Sequence, residues 1–445
     1  MPSSATIRDI AEHLSVAKNS VQPTESQPGM GWAWLDPEYR KLDGRAFAGH
    51  AGALTVLDEG MPALELAMKK LLADQSVRKL WDVEDLWTIV LSLLAASVNN
   101  PRLNLVDATS KIAKPKQARV LAALANVSWA SEPQQIGGLS IAYLETASDV
   151  VALAKLLHLE SEDSQAFVDF AQQLFREFGS CVVATATSSR QGSLAYIDFQ
   201  RALDDVVGLT LMLSNQLDQN GIFSLRGAVN KPGLRGITLD RGALGALLAK
   251  KGAGELASRT LTLSEWGPQN RYGWHSADPL PMAALLRDQA ELIGELARAE
   301  DPIAQRLKVA ARWYARAFWA DAHDDAALAV SVAMDALLTG KEAVPGAVSK
   351  GRYALLERRV EQRRERFARY DQVYGVRSAI AHGGDASKLL EKIGGARSMM
   401  RDARWVAGQL ISLRNLVAPR TESELRDLWS DIQWGTFPWV ISDSH

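Results

Sequence analysis

With one cysteine, Cys181, the chain can form no internal disulfide, zinc ribbon or redox CxxC pair. A reducing compartment is the simplest home for such a chain, and the cytoplasm is expected. No run of eighteen or more apolar residues occurs, so no membrane span is predicted. The opening residues lack the basic stretch and apolar core of a secretory signal. Residues 225–233 carry glycines and cations without the spacing of a P-loop or a dinucleotide fingerprint, so no nucleotide hydrolysis is predicted. His50, His158, His275 and His323 are scattered without metal-ligand spacing, and neither a metal nor a cofactor is expected. Bulk charge is nearly absent as well. Lys and Arg number 50 against 52 Asp and Glu, a formal net charge of -2, so any nucleic-acid contact must come from a local patch.

Hydrophobic residues make up 47% of the chain and charged residues 23%, the profile of a folded protein. At 445 residues it is too long for one ordinary core. Apolar periodicity divides it. Residues 1–50 read as an arm or linker, with a short helical pattern over 6–21 and a Pro, Gln and Ser segment after it. Residues 51–280 alternate helical patterns, such as 60–72 and 83–98, with strand-like runs including 181–187, 221–225, 236–239 and 260–263, and form a mixed α/β domain. Residues 281–419 are helical throughout, and 420–445 form a Trp-rich tail whose rings are expected to pack on the neighbouring helices or in a dimer interface. The fold class expected is α+β: a mixed α/β domain followed by an all-α four-helix bundle. The bundle helices are predicted at 302–320, 324–338, 348–381 and 388–416.

The third of these carries a cluster of arginines, among them Arg352, Arg359, Arg363 and Arg366, a candidate RNA phosphate surface. Its competing reading is a solvated helix face laced by pairs such as Glu365 with Arg369. The helix ends at Gly383-Gly384, which leaves His382 on the last turn. Arg377 lies five residues earlier and Ser378 four. RNA supplies its own nucleophile, the 2'-hydroxyl, so its cleavage needs a base, an acid and a cation at the crowded phosphorus. Histidine and arginine meet that need, with a hydroxyl such as Ser378 adding a hydrogen bond. An ideal helix does not align Arg377 with His382, and fraying at the glycines is the expected way to bring them together. Asp335 shares an apolar stripe with Leu328, Val332 and Leu338, where a carboxylate requires a partner. Arg377 shares a stripe with Tyr370, Val373 and Tyr374, so the two helices are expected to meet with Asp335 orienting Arg377.

The order and spacing of residues 307–318, then Val332-Ala-Met-Asp335-Ala-Leu-Leu, then Arg352-Tyr-Ala-Leu-Leu356, then Tyr374-Gly-Val-Arg377-Ser-Ala-Ile-Ala-His382-Gly383 resemble the HEPN domain of Apea-like abortive-infection proteins. The resemblance implies a four-helix bundle that dimerises so that two Arg-x4-His motifs face each other across one metal-independent ribonuclease site. It maps the arginine, polar and histidine positions onto Arg377, Ser378 and His382. The acid of the second helix, often Glu, falls on Asp335. It also implies a toxin-like antiphage role, with the N-terminal domain sensing a protein or phage-derived trigger. Two alternatives stay open: a non-catalytic dimeric scaffold that binds a nucleotide or RNA, and a DNA-binding regulator using residues 6–21, which resemble the opening helices of a lactose-repressor-type domain.

Overall fold

The computed structural model describes residues 2–24, 44–49, 52–115, 117–157, 168, 179–214, 233–240, 258–261, 279–340, 342 and 346–439. The predicted 221–225 strand and the glycine- and cation-bearing residues 225–232 lie outside that set, as do His50, His158 and His275. The protein is α+β and mainly helical, with small sheets that are largely antiparallel. Two compact units are present, one from residues 1–124, 144–201 and 234–267, the other from 125–143, 202–233 and 268–445. Where composition suggested a single boundary near 280, the chain passes between the units several times.

In the first unit, helix α1 (Ser4–Asn19) is capped by Ser3, whose hydroxyl oxygen accepts the Thr6 N–H at 3.1 Å. It packs with α2 (Met61–Ala73), α4 (Val83–Asn99) and α5 (Leu105–Ala113), while the short α3 (Gln75–Leu80) follows α2. Ile10, Leu14, Leu64, Leu71, Leu86 and Ile112 fill the resulting core. The helix-turn-helix alternative needs a second helix directly after this one. Residues 4–19 form one helix, with Ile7, Ile10 and Leu14 facing the core, and the chain continues as a strand where a recognition helix would be needed. That strand, β1 (Val21–Thr24), lies beside β3 (Gly52–Leu57), which also pairs with β2 (Gly44–Gly49), all antiparallel. A second group runs β10 (Ser258–Leu261), β9 (Gly233–Asp240), β4 (Ala118–Ala125) and β8 (Cys181–Ser188). β4 pairs antiparallel with β8, and its near-continuous apolar run is buried on both faces. Helix α6 (Ala147–Leu156) also belongs to this unit.

The second unit contains a two-residue strand β5 (Val127–Ser128), the hairpin of β6 (Gln134–Ile136) and β7 (Leu139–Leu144), and the later turns of α7 (Gly192–Leu213). β11 (Leu280–Pro281), α8 (Met282–Leu286) and α9 (Ala290–Arg298) lead into a bundle. Its helices are α10 (Pro302–Phe318), α11 (His323–Thr339), α12 (Gly346–Leu355), α13 (Arg363–Ala381), α14 (Ser387–Ile393) and α15 (Gly395–Val417). α11 packs against α10, α13 and α15, so it is the central element. Gly208 on α7 lies against α10 so closely that a Cβ there would sit 2.6 Å from the Ala311 carbonyl group, which is why this position has no side chain.

Two predicted helices are each divided. The 348–381 helix breaks into α12 and α13, separated by residues 356–359 and a 3-10 turn at Val360–Gln362. The last helix is interrupted at Gly394, which adopts φ 82 between α14 and α15. The Trp-rich tail forms a helix, α16 (Glu422–Trp434), that packs against α12 and buries Leu425, Leu428 and Trp429. Trp439 is buried after it, with its indole N–H donating to the Leu356 carbonyl at 3.2 Å, whereas Trp434 is 75% exposed.

Candidate active site

α11 and α13 meet at Asp335. One of its carboxylate oxygens pairs with the Arg377 guanidinium, and the other accepts a hydrogen bond from the Tyr370 hydroxyl at 3.1 Å. The shorter acid therefore reaches Arg377. Asp335 stays 26% exposed and Arg377 36%, so the pair sits at the rim of the bundle rather than in its dry interior. Burial pushes the Asp335 carboxyl above its ordinary range, with the Arg377 charge and the Tyr370 hydrogen bond opposing that shift. The Tyr370 hydroxyl is also pushed up, first by burial and then by the neighbouring carboxylate. Both shifts follow from setting a carboxylate and a phenol side by side where each loses part of its hydration.

Tyr370 was not singled out by its sequence position beyond sharing a stripe with Arg377. Its ring packs on Tyr353 with centroids 5.4 Å apart, and the Tyr353 hydroxyl donates to Asp402 at 3.2 Å. Arg369 donates to the same Asp402 carboxylate at 2.8 Å and to the Ile393 carbonyl at 3.1 Å. Two hydrogen-bonded groups, Asp335–Arg377–Tyr370 and Tyr353–Asp402–Arg369, are thus joined by the contact of the two tyrosine rings, from α11 and α13 through α12 to α14 and α15. That contact makes the backing of the candidate site a connected unit.

The helix end is closed, not frayed. His382 is the cap residue at φ -95 and ψ 11, Gly383 takes φ 71, and the Gly384 N–H returns to the Ala379 carbonyl at 2.8 Å while the Gly383 N–H bonds the Ile380 carbonyl at 3.0 Å. This is a Schellman motif, with its left-handed position filled by glycine. The Ser378 carbonyl accepts the His382 N–H at 3.1 Å, and His382 itself is exposed. With the helix regular up to this point, five residues put Arg377 and His382 about 140° apart around the axis. Arg377 lies on the side of Asp335 and Tyr370. Ser378, half-buried, comes between the two in angle.

The four arginines proposed for phosphate take different places. Arg352 is 7% exposed, donates to the Leu338 carbonyl at 3.0 Å and pairs with Glu342 at 2.7 Å. Arg306 donates to the same carbonyl, also at 3.0 Å, so two cations cover the C-terminal end of α11, where unpaired carbonyls concentrate negative charge. Arg363 donates to the Glu357 carbonyl at 2.9 Å. Arg366 bonds the Glu357 side chain at 3.1 Å and lies 3.9 Å from the Trp405 ring. Arg359 is the exposed member of the four.

No family model, curated protein or solved structure matches the chain. Among the described residues, no group of three or more His, Cys, Asp or Glu is placed to hold a metal ion, and no helix is long and apolar enough to cross a membrane.

Proposed function

We propose that the protein is a HEPN-type endoribonuclease that cleaves cellular RNA without a metal ion, a regulated toxin of the abortive-infection kind whose N-terminal region senses its trigger. The observation that supports this most is the Asp335–Arg377 ion pair, steadied by Tyr370, on the helix that ends at His382. A guanidinium held from behind by a carboxylate keeps donors for phosphate oxygens on its outer edge. In the proposed reaction the 2'-oxygen attacks the adjacent phosphorus while a base takes its proton. The bond from phosphorus to the 5'-oxygen breaks, and an acid protonates that leaving oxygen. The products are a 2',3'-cyclic phosphate and a 5'-hydroxyl. Arg377 binds the charge that builds on the phosphorane, His382 serves as acid or base, and Ser378 contributes a hydrogen bond. Because Arg377 and His382 lie on different sides of α13, a second chain that sets its own α13 opposite supplies the missing partner.

The test is cleavage of RNA by purified protein in EDTA, with wild type beside His382→Ala and Arg377→Ala and the product ends identified. Cutting that survives EDTA, leaves cyclic phosphates and disappears in both variants supports the proposal. Variants that fold and still cut sink it. RNA binding by a dimer with no cutting supports the second reading, a non-catalytic scaffold, which the wide angle between Arg377 and His382 favours.

A further inference from the structure

We propose that Phe367 and Tyr374, with Lys350 between them, form a stacking platform for single-stranded RNA that leads toward His382; this rests on the ribonuclease reading above. Phe367 is 44% exposed and Tyr374 40%. Seven residues separate them, so they stand on one face of α13, about 10 Å apart along its axis. The Lys350 ammonium, from α12, lies 5.8 Å from the Phe367 ring and 5.9 Å from the Tyr374 ring. It also pairs with Asp371, which sits on the same face between the rings. An ammonium has three donors, and one bond to Asp371 leaves two for phosphate oxygens. Gly346 borders the platform, where a Cβ would come 3.2 Å from the Tyr374 ring, so glycine gives that ring its room.

The stripe continues in both directions at helical spacing. Arg364, exposed, is one turn before Phe367; Ser378 and His382 follow Tyr374 at four and eight residues. Cation, ring, cation, ring, hydroxyl and imidazole therefore lie in line. Proteins that hold single strands without strong sequence preference combine these elements, with rings stacking on bases and cations tracking the backbone. One exposed aromatic ring needs no explanation. Two rings bracketing a lysine on the His382 face do. A second copy of the chain is the rival occupant, but the core of a protein interface is depleted in charged side chains, and here Arg364, Lys350 and Asp371 interleave the two rings.

The experiment measures fluorescence anisotropy of a labelled oligouridylate with full-length protein carrying His382→Ala, so that bound RNA stays intact. In that background Phe367→Ala and Tyr374→Ala are each expected to weaken binding by about 5- to 150-fold, the range of losing one stacked base. Phe367→Trp should bind at least as tightly as the parent. Unfolding temperature and oligomeric state are recorded for each. Affinity unchanged within about twofold, failure of Phe367→Trp to bind better than the alanine variant, or absence of oligouridylate binding by the parent overturns the platform. So does a loss that accompanies conversion of dimer to monomer, which assigns the stripe to a second copy. Cleavage by the unmutated chain in EDTA is scored separately. Cutting with ring-independent binding removes the platform alone, and ring-dependent binding without cutting removes the catalytic reading alone.

Discussion

Replacing Tyr370 with phenylalanine deletes one oxygen from the backing of the candidate site and leaves its ring packing in place. The hydroxyl is on a residue 2% exposed and donates to Asp335 at 3.1 Å. A hydrogen bond to an ionised group contributes about 1.5–3 kcal/mol, and water at the partly exposed carboxylate offsets part of the loss, so a cost of about 1–2 kcal/mol is expected. At roughly 2–4 °C per kcal/mol for a unit of this size, the unfolding temperature at pH 7 should fall by about 2–8 °C. Losing a donor that favours the ionised form moves the Asp335 carboxyl further up. Asp335 is already raised in the folded state, so its stabilising contribution is complete below the ordinary carboxylate value and is lost as pH rises through the folded value. The penalty of Tyr370→Phe should therefore be larger at pH 7 than at pH 4, where more of the carboxyl carries its proton and the bond is the weaker, neutral one. Differential scanning calorimetry at both values measures this, with Tyr353→Phe as the comparator, because Tyr353 is equally enclosed but bonds Asp402. In RNA cleavage, Tyr370→Phe should raise KM or lower kcat through a looser Arg377, while Tyr353→Phe should leave pH dependence near neutrality unchanged. A variant as stable as wild type at pH 7, or one penalised more at pH 4, would refute the reasoning.

Asp335→Asn keeps an acceptor for Tyr370 and removes a charge that burial disfavours. Stability at neutral pH should hold within about 1 kcal/mol, the loss of stability between the ordinary and raised carboxyl values should vanish from urea titrations, and cleavage should fall at least about tenfold as Arg377 loses its support. Arg352→Ala strips one of two cations from the end of α11 and leaves Glu342 without its closest partner. It should cost about 3 kcal/mol in unfolding experiments yet leave RNA affinity per folded molecule unchanged, and a selective affinity loss would return Arg352 to the phosphate surface. Gly383→Ala forces a side chain into φ 71 and should cost about 1 kcal/mol by urea unfolding; no cost would mean the helix end relaxes without penalty.

The meeting of α11 and α13 was legible because it depends on local periodicity. Asp335 on one apolar stripe and Arg377 on another are facts of spacing, and two stripes in a bundle have to face something. The break between α12 and α13 was not legible, because residues 356–359 contain neither glycine nor proline and read as helix. Its cause is tertiary. The Leu356 carbonyl is taken by the Trp439 indole, the Glu357 carbonyl by Arg363, and Arg358 lies 4.2 Å from the Trp439 ring. The distant tail and the first residue of α13 thus each claim a carbonyl that a continuous helix would use, and propensity yields to packing. The same break decides the arginines. Read as one helix they line a basic face; with the helix divided, Arg352 turns inward to α11 and Arg359 remains outside.

The closed end of α13 carries the largest consequence for chemistry. Fraying would have let one chain gather Arg377, Ser378 and His382 around a phosphate. The two backbone bonds at Gly383 and Gly384 oppose it, at about 1 kcal/mol each in net terms plus the conformational fit of glycine at φ 71. Opening the end to swing His382 through about 140° would have to break both and expose the carbonyls they satisfy. A second α13, brought alongside by a partner chain, needs no such opening. It can set the imidazole of one helix beside the guanidinium of the other while each helix stays intact. On this argument the proposed nuclease should be inactive as a dilute monomer, with specific activity that rises with protein concentration until a dimer is saturated. Full specific activity in a sample that light scattering shows to be monomeric would mean that one chain assembles the site after all, and that the helix end does open.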